Sequence, residues 1–445
     1  MQLKNMLQSA GRWLGALLED NKPKNSIAVL DGVRATAIIF VIVYHINRQT
    51  GDNLWTQFKY PLLSSISTSG SSGVVLFFVL SGFLLFMPYA KALLFEDNWP
   101  SAKVFYLRRV LRIMPGYYLS LFLLILITAP QYLQPGHLHE LLLFLTFWMD
   151  SSSETFRQLN GPYWTLGIEW WFYMFLPFIC LGLYVIARHI PLKKRLPVLL
   201  CCLVALMIWG LFLRYWGYYL LKHPGVTLLV PRHILDTVMF FLFGQYGKYL
   251  EVFALGMAVS LCYIYSRYAP PQSRFSVQIR KSSYWLWGAG ILILVFADMW
   301  HFVHDYNYQG WTFFNAIVNH YFFLGDFTSG IGYALCITAV LFGPLPLKIA
   351  FTWAPLRWVG LISYGLYIWH LPFIYLLKYE LLPHVHITNR FISYSLYWLW
   401  LLVIIVPFAL LIFVLVEKRW IKLGDRWRAQ LEKQRLRLLS EASPT

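Results

Sequence analysis

The sequence predicts an all-α membrane protein: about ten transmembrane helices in one bundle, with a short re-entrant or interfacial helix beside them. Three observations predict it. Hydrophobic residues make up 58% of the 445 and charged residues only 13%, against about a quarter charged in ordinary globular chains. Long apolar stretches recur, near 29–47, 72–92, 113–129, 162–187, 196–221, 249–266, 283–302, 319–342, 357–379 and 392–416, each close to the roughly 20 residues that a crossing helix needs. The basic residues are also unevenly placed. Of 37 Lys and Arg, 27 lie in the termini and alternate connectors, 7 in the opposite connectors, and 3 (Arg34, Arg214 and Lys378) within spans. This is the positive-inside pattern of a multi-pass plasma (inner) membrane protein with both termini cytoplasmic. It explains the net charge of +17 as topology, so no nucleic-acid partner is expected.

In chain order, residues 1–26 read as an amphipathic cytoplasmic segment. Leu3, Met6, Leu7, Trp13, Leu14, Leu17 and Leu18 recur at helical spacing, while Lys4, Arg12, Glu19 and Asp20 mark a polar side. That suits a helix on the membrane surface rather than a cleavable signal peptide. Residues 27–416 form the ten-helix membrane domain. A charge near the bilayer centre costs about 3 kcal/mol or more, so each one within a span needs a reason.

The first span, LDGVRATAIIFVIVYH, holds Asp31, Arg34 and His45. Arg34 and His45 share a helical face, roughly 16 Å apart along the axis, and Asp31 is placed to pair with Arg34. A lone helical His is most often a bonded core residue, and Arg34 is shallow enough to snorkel. Three ionisable groups on one face weigh against the core reading of His45. In the second span, Ser69, Gly70, Ser71, Ser72 and Gly73 are expected to make a flexible outer entry. Ser81 and Gly82 permit close helix approach. The third span opens FYLRRVLRIMPGYY, clustering Arg108, Arg109 and Arg112. Arg109 and Arg112 share a face and suit phosphate, although membrane anchoring also explains them.

The stretch 138–149 is too short to cross. The fourth span, PYWTLGIEWWFYMFLP, carries Glu169, about 10 Å deep if the helix starts at the surface. That level matches His45, and a carboxylate there can orient an imidazole base. In the ninth span, WVGLISYGLYIWHLPF, His370 is the thirteenth residue, with Ser363 and Tyr364 below it. Residues 417–445 are a basic cytoplasmic tail suited to anionic lipid. Trp55, Trp164, Trp300 and Trp311 lie in outer segments, where stacking on sugar rings and interfacial anchoring fit equally. The five Cys sit in apolar spans as packing thiols. For the pairs His137 and His139, His301 and His304, and His384 and His386, no carboxylate or Cys companions complete a ligand set, so no metal is expected.

Together LDGVRATAIIFVIVYH, GVVLFFVLSGFLL, FYLRRVLRIMPGYY, YWTLGIEWWFYMFLP and ISYGLYIWHLP resemble the family-3 membrane acyltransferases, in the family's order and over most of the chain. The resemblance implies roles. Arg34 and His45 match the first-span pair required for acyl transfer. Arg109 and Arg112 match the Arg-x-x-Arg motif associated with acyl-CoA. Apart from the resemblance, Arg34 is placed to hold the donor phosphates or the developing oxyanion, and its distance from His45 favours the former. Glu169 matches the acidic residue of the Trp-Ser-Leu-x-x-Glu segment, and His370 the late-span His. Thr165 stands for the usual Ser, and Trp170 for a second polar residue. No fused esterase-like domain is seen, so a second transfer step is expected to need another protein.

The expected enzyme is an O-acyltransferase. It would move an acyl group such as acetyl from cytoplasmic acyl-CoA, a co-substrate rather than a cofactor, to a hydroxyl of an extracytoplasmic glycan or lipid-linked glycan. His45 is the expected general base, with Glu169 and Arg34 as catalytic partners. Asp31, Ser81, Trp164 and His370 support them. The rival is a secondary transporter or flippase for a lipid-linked sugar, which would also bury charges in a helix bundle.

Overall fold

A computed structural model describes residues 15–16, 18–19, 27–51, 59–227, 230–268, 273–385, 387 and 389–441, with side chains to residue 431. Most of the 1–26 segment, Trp55, His386 and the side chains of Lys433, Arg435 and Arg437 lie outside the described residues. The helices run α1 (Ala28–Gln49), α2 (Pro61–Thr68), α3 (Gly73–Phe95), α4 (Ala102–Thr128), α5 (Leu138–Leu145), α6 (Tyr163–Ala187), α7 (Leu192–Lys222), α8 (Arg232–Leu242), α9 (Leu250–Tyr268) and α10 (Arg274–Lys281). They continue as α11 (Ser283–Tyr306), α12 (Thr312–Ile317), α13 (Tyr321–Phe342), α14 (Leu345–Thr352), α15 (Ala354–Leu361), α16 (Ser363–Tyr375), α17 (Arg390–Trp400), α18 (Val406–Ile412) and α19 (Lys418–Glu441). Among the described residues there is no strand.

Nine of the described helices are long and apolar enough to cross a membrane, and ten if the pair Ala354–Leu361 and Ser363–His384, bent by 72°, is one span. The all-α membrane bundle read from the sequence is therefore the observed fold. The stretch at 138–149 contains only the 8 residues of α5. Large apolar side chains such as Trp285, Leu292 and Phe178 face outward, 82%, 72% and 67% exposed, as lipid-facing helices require.

Small residues set the closest packing. A Cβ on Gly82 of α3 would lie 2.1 Å from the Phe253 carbonyl oxygen, and one on Gly256 of α9 would lie 2.0 Å from that of Val79. The two backbones touch reciprocally, which only glycine permits. The buried charge of Arg214 is paired. Arg214 on α7 is 2.9 Å from Glu251 on α9 and bonds Asp326 on α13, where Tyr249 also donates to Asp326 at 3.0 Å. This network pins three helices, the geometry a buried cation needs. Lys378 donates to Gln49 at 2.9 Å.

Two local departures bear on the site. Residues 69–72 form a 3-10 turn, not a flexible entry: Ser69 donates to the Ser65 carbonyl at 2.7 Å and Ser72 bonds Tyr333 at 2.7 Å. Pro372 lies inside α16, and a helical proline leaves the carbonyl four residues earlier without its usual donor. That carbonyl belongs to Ile368, and Asn160 supplies the missing donor through Nδ2 at 2.8 Å.

Candidate active site

α4 starts at Ser101, whose hydroxyl accepts from the Val104 N–H at 3.5 Å as an N-cap. This start places Arg109 and Arg112 about two to three turns inside the helix. α1 brings Arg34 to the same level, 3.8 Å from Asp31. These three guanidinium groups line one cavity with Ser81 from α3, Glu169 and Tyr173 from α6, and Ser363, Tyr364 and Tyr367 from α16. Its empty volume is about 820 Å³. Glu169 accepts from Ser81 Oγ at 2.5 Å and from the Tyr173 hydroxyl. Arg109 lies 5.8 Å from the Tyr173 ring centroid, and its buried Nε has no hydrogen-bond partner. Three cations thus face one lining carboxylate, an excess of positive charge that suits an anionic ligand.

Arg109, Leu84 and Leu85 also line a second, larger groove of about 1380 Å³. Lys91, Lys103, Arg108 and Arg428 add four more basic residues there, beside Trp99. A basic groove therefore leads to the cavity at Arg109.

His45 and His370 lie apart from the cavity, in contact with each other. His370 Nε2 is 3.2 Å from His45 Nδ1, and the ring centroids are 4.9 Å apart. His45 Nδ1 also lies 2.9 Å from the Val41 carbonyl, and His370 Nδ1 lies 2.9 Å from the Leu366 carbonyl. Carbonyls only accept, so both rings carry their proton on Nδ1. His45 Nδ1–H is then shared between Val41 O and His370 Nε2. His45 Nε2 keeps a free lone pair, with no hydrogen-bond partner among the described residues.

Glu169 accordingly is not the hydrogen-bond partner of His45. The depth expected from the sequence assumed that α6 starts at the surface. Instead Tyr163, its first residue, is 1% exposed and bonds Ser120 at 2.7 Å. The helix starts deep because residues 146–162 fold into the bundle ahead of it, which sets Glu169 at the level of Arg34. Tyr367 joins the two regions. Its hydroxyl bonds Thr165, it lines the cavity, and its ring centroid is 6.0 Å from His370. Trp164 lies outside the cavity, packed against Phe156, Tyr246 and Tyr249.

Four other histidines have acidic neighbours. Asp305 lies 3.2 Å from His301 and 2.8 Å from His304, Glu140 3.1 Å from His137, and Glu154 3.3 Å from His139. Among the described residues no three His, Cys, Asp or Glu are grouped to hold a metal ion. Asn160 and Tyr367 were missed in the sequence. The signal for Asn160 was Pro372, whose freed carbonyl demands a donor from elsewhere.

A family model described as an acyltransferase domain matches residues 27–416. The chain is 28% identical over 366 residues to the peptidoglycan O-acetyltransferase OatA of Listeria monocytogenes, covering 78% of this chain and 49% of that protein. It is 25% identical over 363 residues to the "Putative peptidoglycan O-acetyltransferase YrhL" of Bacillus subtilis, covering 78% and 48%. The chain thus spans about half the length of these curated relatives. No solved structure matches it significantly. With five motifs in order, a membrane bundle built around them and a match over most of its length, the chain belongs to the family-3 membrane acyltransferases.

Proposed function

We propose that this protein moves an acyl group such as acetyl from acyl-CoA on the cytoplasmic side to a hydroxyl of a glycan or lipid-linked glycan on the opposite side. One observation carries the reading: an arginine-lined cavity, sharing Arg109 with a basic groove, is also lined by Tyr367, whose ring lies beside a pair of histidines in contact with each other. The glycan acceptor is supported by the relatives' names, which specify peptidoglycan.

In this reading the groove and Arg109 hold the donor's phosphates, as guanidinium forks do. Arg112 and Arg34 continue that path inward. Arg34 lies roughly 16 Å along α1 from His45, which suits it to the donor rather than to an oxyanion at the reacting carbon. The thioester end then reaches Thr165 and Tyr367, and the Tyr367 ring must turn aside for it to meet the acceptor. His45 Nε2 takes the proton of the acceptor hydroxyl as the oxygen attacks the thioester carbonyl. The C–S bond breaks, and the departing thiolate takes the proton from His45. Glu169, bonded to Ser81 and Tyr173, balances the cavity's cations and fixes its wall.

The test is an assay of detergent-purified protein with labelled acetyl-CoA. Acyl transfer, or CoA release stimulated by an added sugar acceptor, is expected, and His45→Ala abolishes it with the fold intact. Retained activity in that variant would sink the role of His45. Sugar movement across a vesicle membrane without CoA consumption would favour a transporter instead.

A further inference from the structure

We infer that Arg157, seated on a shelf of three aromatic rings, is the acceptor-recognition residue, and that the acceptor carries an oxyanion close to the hydroxyl that is acylated. The inference rests on the acyl-transfer reading and adds the chemical class of its second substrate.

The argument starts from the backbone. Residues 146–162 hold three non-glycine positions with positive φ: Phe147 at 63°, Arg157 at 59° and Leu159 at 56°. Each is a left-handed conformation costing roughly 1 kcal/mol or more for such side chains, and it persists only where surrounding contacts enforce it. The contacts are present. Asp150 binds Lys248, Lys248 donates to Ser151 at 2.9 Å, and the Gln245 N–H donates to the Asp150 carbonyl at 3.0 Å. Asn160 ties the far end of the segment to Ile368, two residues from His370. Arg157 therefore stands on a built rim rather than a loose loop.

That rim aims the side chain. The guanidinium carbon lies 5.0 Å from the Phe156 ring centroid, 5.5 Å from Trp164 and 5.6 Å from Tyr246. Arg157 is exposed and has no ion pair or hydrogen bond among the described residues. By contrast Arg232 and Lys248 are committed to Asp236 and Asp150. A guanidinium stacked on rings leaves its N–H edge available, the geometry that takes a carboxylate or phosphate in two parallel bonds. The rings beside it offer an apolar surface to a sugar face.

The path from this shelf to the chemistry is short. Trp164 precedes Thr165, which bonds Tyr367, whose ring neighbours His370 and so His45. Arg157 is itself within electrostatic reach of His45 and Tyr367. A carboxylate on the sugar itself and a phosphate on its anomeric oxygen share the required chemistry.

Three probes separate these sources: N-acetylglucosamine, N-acetylmuramic acid, which adds a carboxylate, and N-acetylglucosamine 1-phosphate. With full-length protein and labelled acetyl-CoA, kcat/KM for at least one anionic sugar should exceed that for the neutral sugar by about tenfold or more. The favoured anion identifies the source. Arg157→Ala should bring that ratio to near 1, and Arg157→Lys should retain part of it. An equal fall for all three sugars, or an undiminished ratio, would overturn the assignment. If no sugar is acetylated and no CoA is released, the acyl-transfer reading falls by itself. Calorimetric titration of the same sugars into wild-type protein and Arg157→Ala then decides Arg157 separately: lost preference for the anion upholds it, and equal binding refutes it.

Discussion

Replacing His370 by Phe tests how His45 is held. His370 Nε2 accepts from His45 Nδ1–H at 3.2 Å, but the same proton also faces the Val41 carbonyl at 2.9 Å. The variant keeps the aromatic volume and removes one of two acceptors, so the tautomer survives. A net hydrogen bond contributes about 0.5–1.5 kcal/mol, which converts to roughly a 2- to 13-fold fall in kcat. Loss of the base itself, in His45→Ala, is expected to cost about 100-fold or more. The assay is steady-state acetyl transfer at saturating acetyl-CoA, with each variant checked for monodispersity in detergent. A His370→Phe loss as large as that of His45→Ala would mean that His370 handles the proton itself. No loss at all would mean that the contact has no catalytic use. Because Glu169 bonds Ser81 and Tyr173 instead, a double-mutant cycle of His370→Phe with Glu169→Gln should show coupling below about 0.5 kcal/mol.

The other expectations follow from the same geometry. Arg109→Ala, removing a stacked guanidinium shared by groove and cavity, should raise KM for acetyl-CoA by about tenfold or more with a smaller change in kcat. Gly82→Leu must displace the Phe253 carbonyl, 2.1 Å from where its Cβ would sit. It should cost about 1–3 kcal/mol or more, read as a lower Tm in detergent. Lys248→Met strands the Asp150 carboxylate, whose residue is 2% exposed, at a cost of about 3 kcal/mol. Burial already raises the Asp150 pKa above the usual carboxylate value, and losing Lys248 raises it further. The folded variant then binds a proton that the unfolded chain releases, so its Tm deficit should narrow as pH falls from 7 towards 5. A deficit that widens on acidification would contradict this sign.

Much of the bundle was legible in the sequence because membrane spans obey simple limits on length and charge. The stripe of Asp31, Arg34 and His45 was visible for the same reason: helical periodicity fixes which residues share a face. Partnerships between helices were not. The depth of Glu169 depends on how residues 146–162 fold, and that depends on the Asp150–Lys248 and Asn160–Ile368 contacts, nearly 100 and more than 200 residues apart in sequence. The 72° bend between α15 and α16 likewise hides inside one apolar stretch. Periodicity also cannot tell a histidine that faces a cavity from one that faces another histidine.

The histidine pair has a further consequence. His370 Nδ1–H ends on the Leu366 carbonyl, an acceptor that cannot hand a proton onward. The chain of bonds from His45 therefore has no exit beyond that peptide group. A proton collected at His45 Nε2 must leave by the atom at which it entered. Turnover then needs no proton wire through the bilayer, and in sealed vesicles its rate should be indifferent to an uncoupler that collapses the pH gradient.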